Sequence, residues 1–222
     1  MLIETTFPES VDRSYLLFMQ QPVIQNFLAN GGQVYAATEG QSTDNIKRLL
    51  ALGHRHFAEK YLQEAEQKYP SLIKLYPDIR LSYFGKLQTN KIGRIINLFH
   101  TIESVTRPKE VDVINRWLGV ETAKTTTFFM QWNIGQEAQK NGASTGKLAD
   151  LFSHCTNTAL SVSGLMVIPP KHANPVAYFR TARQQTDRFG LSECQMGFSA
   201  DYEEAIRCGS TRIRVARLFF GN

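Results

Sequence analysis

The chain has 222 residues, 42% of them hydrophobic, which is the size of one α/β barrel with a substantial core. It has no apolar stretch long enough to span a bilayer and no basic leader over residues 1–8, so neither a membrane span nor a secretory signal is expected. The three cysteines, Cys155, Cys194 and Cys208, lack CxxC spacing, which argues against disulfides or a zinc site and for reduced thiols in a cytoplasmic protein. The net charge of +5 is spread among acidic residues. It suits a ligand bearing phosphate or carboxylate, and no nucleic-acid motif accompanies it.

In chain order, residues 9–30 are predicted as one helix with Leu16, Leu17, Phe18, Val23, Ile24 and Phe27 on its apolar faces, ended by Gly31-Gly32. Eight β-type runs follow, at 34–38, 55–57, 80–84, 101–104, 126–134, 159–166, 192–198 and 212–218. Helical patterns lie at 43–52, 61–69, 90–99, 108–118, 145–156, 175–189 and 200–208. Strands alternating with helices imply a parallel sheet, and eight such units close into a barrel. No G-x-G-x-x-G follows the first strand, which counts against an open dinucleotide-binding sheet. The expected architecture is a single (β/α)₈ TIM barrel over 1–222 with an N-terminal helical extension at 1–32. Its chemistry is expected at the C-terminal ends of the strands.

Six segments, in order, resemble the pyridoxal phosphate homeostasis protein family, small barrels related to the N-terminal domain of alanine racemase. Residues 53–64, GHRHFAEKYLQE, resemble G-x-x-x-F-G-E-N-Y-x-Q-E, and residues 84–91, FGKLQTNK, resemble I-G-x-L-Q-x-N-K. Gln131-Trp132-Asn133-Ile134 with Lys140-Asn141-Gly142 resembles N-I…K-x-G, and Gly164-Leu165-Met166-Val167-Ile168-Pro169 resembles G-L-M-x-I-P. Residues 196–206, MGFSADYEEAI, resemble L-G-M-S-x-D-x-x-x-A-I, and residues 209–221 resemble G-S-T-x-V-R-I-G-T-x-I-F-G.

The resemblance implies a pyridoxal phosphate (PLP) site. In the family the cofactor is attached to a lysine ending strand 1, its phosphate is held by a serine after strand 7 and a glycine-threonine pair ending strand 8, and a strand-8 arginine faces the ring nitrogen. Ser199 matches the serine and Arg214 the arginine. The lysine position holds Glu39, which has no amine to condense with an aldehyde. A second strand-1 lysine is Gln41, the glycine-threonine pair is Ala216-Arg217, and the asparagine of G-E-N is Lys60. Gly197, Phe198, Asn90 and Met166 complete the cofactor-binding residues that the resemblance implies. The departures cluster where the family holds its cofactor, while glycines and apolar runs are kept. The expected protein is a monomer that binds PLP or another phosphorylated metabolite without covalent attachment. The alternative is an enzyme with a rebuilt pocket, using Glu39 as general base and Lys60 as acid or imine-former. An alanine racemase of the usual type is not expected, since both the anchoring lysine and the second domain are lacking.

The residues themselves carry further expectations. Glu39 at the pocket mouth needs a cation, and Lys60 on the neighbouring strand is the predicted partner. Ser199 is read as the N-cap of helix 200–208, whose first N–H groups could bind an anion. Arg212 and Arg214 alternate with apolar residues and should face the barrel interior, with Arg214 available to a ring nitrogen or to Glu39. Arg217 either fills the phosphate cup or grips the phosphate. Phe198 should narrow the pocket beside a bound ring. Lys91 is expected to be solvated, and His54 and His56 to be structural.

Overall fold

The computed structural model describes residues 10–118, 127–158 and 160–221. Eight strands form its centre: β1 (Gln33–Ala37), β2 (His56–Glu59), β3 (Arg80–Tyr83), β4 (Thr101–Val105), β5 (Thr127–Trp132), β6 (Gly164–Val167), β7 (Glu193–Gln195) and β8 (Arg212–Val215). All neighbours are parallel and the sheet closes in sequence order, with β8 returning to β1 through Gln33↔Arg212 to Ala36↔Val215. This is the expected (β/α)₈ barrel. The outer layer is made of α1 (Ser10–Met19), α2 (Pro22–Ala29), α3 (Thr43–Ala51), α4 (Leu62–Leu75), α5 (Ile92–Leu98), α6 (Pro108–Leu118), α7 (Thr145–Asn157), α8 (Pro175–Arg188), α9 (Tyr202–Arg207) and α10 (Arg217–Phe220). Among the described residues no helix is long and apolar enough to cross a membrane.

The helix predicted over 9–30 is two helices. Pro22 has no N–H to donate and pushes Gln21 into an extended conformation (φ −61°, ψ 135°), so the chain stops at Met19 and restarts with Pro22 in the first turn. Gly31 then turns the chain at φ +83°, and a Cβ on Gly32 would lie 2.4 Å from the Phe27 ring. The helix predicted to end at 69 runs through Pro70 to Leu75, because burial of Tyr69 and Leu72 outweighs one missing N–H. Ser42 and Asn174 cap α3 and α8 through their side chains.

Several strand ends also differ: β7 stops at Gln195 where the run was predicted to reach 198, and β5 at Trp132 where it was predicted to reach 134. β6 starts at Gly164; position 159, where the run was predicted to begin, is outside the described residues, as is 126 for β5. Gly164 is required because a Cβ there would meet the Glu193 carbonyl of β7 at 2.0 Å. The run 212–218 is a strand only to Val215. The chain then turns into α10, which places Phe219 edge-on against Tyr15 and Phe18 of α1 and against His54. His54 is structural, as expected, donating from Nε2 to the His56 carbonyl at 2.7 Å.

Arg212 and Arg214 face inward, 5% and 3% exposed. Arg212 pairs with Glu193 at 2.5 Å and lies 4.7 Å from the centre of the Phe129 ring. The interior is thus polar between strands, while the apolar core lies between the barrel and its helices.

Candidate functional site at the barrel mouth

The C-terminal ends of β1 and β2 are fixed by one buried network. Thr38 is fully buried; its hydroxyl meets Tyr69 Oη at 2.7 Å and Glu59 Oε2 at 3.2 Å. Lys68 Nζ donates to the Thr38 carbonyl at 2.9 Å and pairs with Glu59 at 3.1 Å and Glu64 at 2.5 Å. Burial raises the Glu59 pKa and Lys68 opposes the rise; the hydrogen bond from Lys68 lowers that of Glu64. Glu64 also accepts from Gly40 N–H at 3.0 Å. The side chain between these anchors, Glu39, therefore emerges beside Lys60, with Oε2 and Nζ 3.7 Å apart. Both are nearly half exposed, 42% and 47%, so the pair contributes at most about 1 kcal/mol.

Glu39 rims a cavity of about 300 Å³, lined also by Ala37, Phe84, Ile168, Phe198, Ser199, Ala200, Arg214, Ala216 and Arg217. Arg214 is paired with Glu103, whose Oε1 accepts from Ser82 Oγ at 2.6 Å. The expected choice between a ring nitrogen and Glu39 is corrected on one side, because Glu39 is held by Lys60 and Arg214 by Glu103. The Arg214 guanidinium lies 3.9 Å from the centre of the Phe84 ring and 5.4 Å from that of Phe198. Its Nε is buried and has no hydrogen-bond partner among the described residues.

Ser199 is not a helix N-cap. Phe198 N–H donates to Asp201 Oδ1 at 2.7 Å and Asp201 N–H to the Phe198 carbonyl at 3.1 Å, so this turn delays α9 until Tyr202. Ser199 Oγ instead accepts from Ala216 N–H at 3.2 Å, tying the loop after β7 to the end of β8. Arg217 is exposed and makes no ion pair among the described residues.

The other sequence-derived residues scatter. Gly197 takes φ +96°, and a Cβ there would lie 2.6 Å from that of Ala205, so its role is close packing. Met166 is fully buried on β6, in register with Gln131 and Gln195. Asn90 belongs to the 3-10 turn Thr89–Lys91 and lines a separate cleft with Lys109 and Trp117, which shares no lining residue with the cavity beside Glu39. Sequence reasoning missed Glu103, Ser82 and the Glu59–Lys68 pair. An acid within the apolar run of β4, facing a strand with two arginines, was the available signal for Glu103.

The fold is that of the alanine racemase barrel: alanine racemase of Corynebacterium glutamicum superposes with a TM-score of 0.67 at 14% identity, over 90% of this chain and 58% of that one. PipY of Synechococcus elongatus is closer. Its structure without PLP gives a TM-score of 0.80 at 29% identity over 96% of this chain and all of PipY, and its structure with PLP bound gives 0.77 at 28%. A pyridoxal phosphate homeostasis protein of Caenorhabditis elegans is 31% identical over 209 residues, 85% of each chain. No family model matches. The chain belongs to the pyridoxal phosphate homeostasis protein family.

Proposed function

We infer that this protein binds PLP, or another phosphorylated small molecule, reversibly and without covalent attachment in the Arg214-floored cavity. One observation carries the reading. The strand-1 position that should offer an amine holds Glu39, ion-paired with Lys60 on the cavity rim, while the cavity below keeps cationic donors.

The residues present support a non-covalent fit. Arg217 is an exposed guanidinium without an acidic partner among the described residues, suited to a phosphate. Ser199 accepts one N–H and still has its own O–H to donate. Arg214 lines the same cavity and contributes its positive charge beside a bound ring. The volume is at the lower end of the range for small-ligand sites, and Phe84 and Phe198 form the flat walls. Bound PLP would supply an aldehyde reactive toward amines. Glu39 cannot take it up, and the Lys60 amine is engaged by Glu39.

Calorimetry with PLP, pyridoxal and sulfate tests this. Dissociation constants for PLP in the micromolar to millimolar range are expected, on the order of −4 to −8 kcal/mol, with pyridoxal weaker. Borohydride treatment followed by mass spectrometry should find no adduct of cofactor mass. PLP binding no better than pyridoxal would remove the phosphate grip. A reduced adduct on Lys60 would replace this reading with the rebuilt enzyme, in which Lys60 is the reacting amine and Glu39 the base.

A further inference from the structure

A second cavity of about 320 Å³ opens beside the first, across the barrel mouth. Phe84 and Ile168 line both, so these two side chains form the partition. We propose that this second cavity is a separate binding site for a small monocarboxylate with an apolar, preferably aromatic, body.

The charge of the cavity supports an anion. Three lysines line it, Lys60, Lys86 and Lys140, and no acidic side chain does among the described residues. Lys140 is neutralised by Glu137 at 2.5 Å and donates to the Pro169 carbonyl at 3.0 Å. Lys86 is exposed and makes no ion pair among the described residues, and Lys60 has its 3.7 Å contact with Glu39 and lies 5.4 Å from the centre of the Tyr61 ring. Lys86 is thus available to a carboxylate at the rim, and Lys60 joins it by exchanging its half-exposed contact with Glu39 for one with the ligand.

The walls support the apolar body. Trp132 Nε1 is satisfied by Thr145 Oγ1 at 3.1 Å, which leaves the indole to offer apolar surface, and Phe84 stands at the partition. The amides do not compete for the ligand. Asn141 Nδ2 donates to Gln131 Oε1 at 2.8 Å, and Gln131 Nε2 donates back to the Asn141 carbonyl at 3.0 Å. Asn133 Nδ2 is likewise used, by the Glu137 carbonyl at 2.8 Å. The loop after β5 is closed on itself, so the cavity is formed in advance of binding. With point charges and apolar walls but few spare N–H groups, it favours a monoanion with an apolar body over a phosphate, which needs many donors.

Lys60 links the two cavities. A carboxylate that takes Lys60 withdraws it from Glu39, which rims the first cavity. Removing the Glu39 charge should therefore strengthen carboxylate binding in the second.

The chain has two tryptophans, Trp117 and Trp132, so in Trp117→Phe protein Trp132 is the sole indole reporter. Phenylacetate should change its fluorescence saturably, and acetate should bind about tenfold or more weakly, since it leaves the apolar walls unfilled. Lys86→Gln should weaken phenylacetate about three- to fivefold, the scale of one exposed ion pair. Glu39→Gln should tighten it, and Arg217→Gln should leave it unchanged. The proposal is overturned if phenylacetate gives no saturable change, if acetate binds equally well, or if Arg217→Gln weakens binding while Lys86→Gln does not, which would seat the probe in the first cavity. Because the probe carries no phosphate, these outcomes are independent of the calorimetry with PLP.

Discussion

Arg214 on β8 and Glu103 on β4 form a buried ion pair between strands that stand opposite each other in the closed ring. Their side chains are 3% and 0% exposed, Ser82 donates to the same carboxylate, and Phe84 covers the guanidinium. Arg214 lines the first cavity and Glu103 holds it in place, so the pair bears on the proposed site and on the barrel's stability at once. Replacing one partner leaves the other charged in a place that water does not reach. Glu103→Gln should cost about 3–5 kcal/mol, measured by urea unfolding, and should loosen PLP binding as Arg214 loses its fixed position. A loss below about 0.5 kcal/mol, the range of a neutral surface change, would mean that water enters the floor and solvates Arg214.

Glu39→Lys tests whether the missing amine is all that separates this chain from covalent attachment. The new lysine would emerge beside Lys60, since the anchors on either side of position 39 hold the strand ends. Two neighbouring ammonium groups disfavour each other's charge, which favours the neutral, nucleophilic amine. Incubation with PLP and borohydride should then give one adduct, at position 39, and visible absorbance before reduction. If the variant binds PLP reversibly but forms no adduct, the obstacle lies in the cavity shape set by Phe84 and Phe198, not in the chemistry at position 39.

How much of this was legible in the sequence depends on range. The eight strands were visible because each run is short, apolar and bounded by turn residues, and parallel order then follows from alternation with helices. The Glu39–Lys60 contact was legible because the two positions end adjacent strands. Glu103 was not found, since its partner lies 111 positions away and only ring closure brings β4 opposite β8. The early end of β8 is similar: nothing local stops the run at Val215, but Phe219 is fully buried against α1, a contact made across the whole chain. The reading of Ser199 as an N-cap failed for a local reason, because Asp201 forms the turn that a capping serine would have formed. Pro22 was a visible break, overridden by the continuous apolar faces on either side of it.

His54 makes the fold sensitive to acid. The ring is wholly enclosed by Tyr15 of α1, Phe57 of β2 and Phe219 of α10, with centroids 5.2 to 5.5 Å away. Its Nδ1 lies 3.5 Å from Tyr15 Oη and its Nε2 donates to the His56 carbonyl, so the neutral ring is satisfied as it stands. Burial holds its pKa at about 3, below the ordinary 6.5; the His56 hydrogen bond opposes the shift, and the neighbouring His56 and Arg55 add to it. The unfolded chain therefore takes up a proton near pH 6.5 that the folded chain refuses until about pH 3. Stability from this residue is fully present above pH 6.5 and falls as pH drops through that window, by up to about 1.4 kcal/mol per pH unit. His56, whose pKa burial also lowers, adds in the same direction. His54→Gln keeps a donor and an acceptor but cannot titrate. Its unfolding free energy, measured in urea at pH 7, 6, 5 and 4, should start below that of the unsubstituted protein and decline less steeply. Parallel declines for the two proteins would show that His54 is solvated and that acid acts elsewhere.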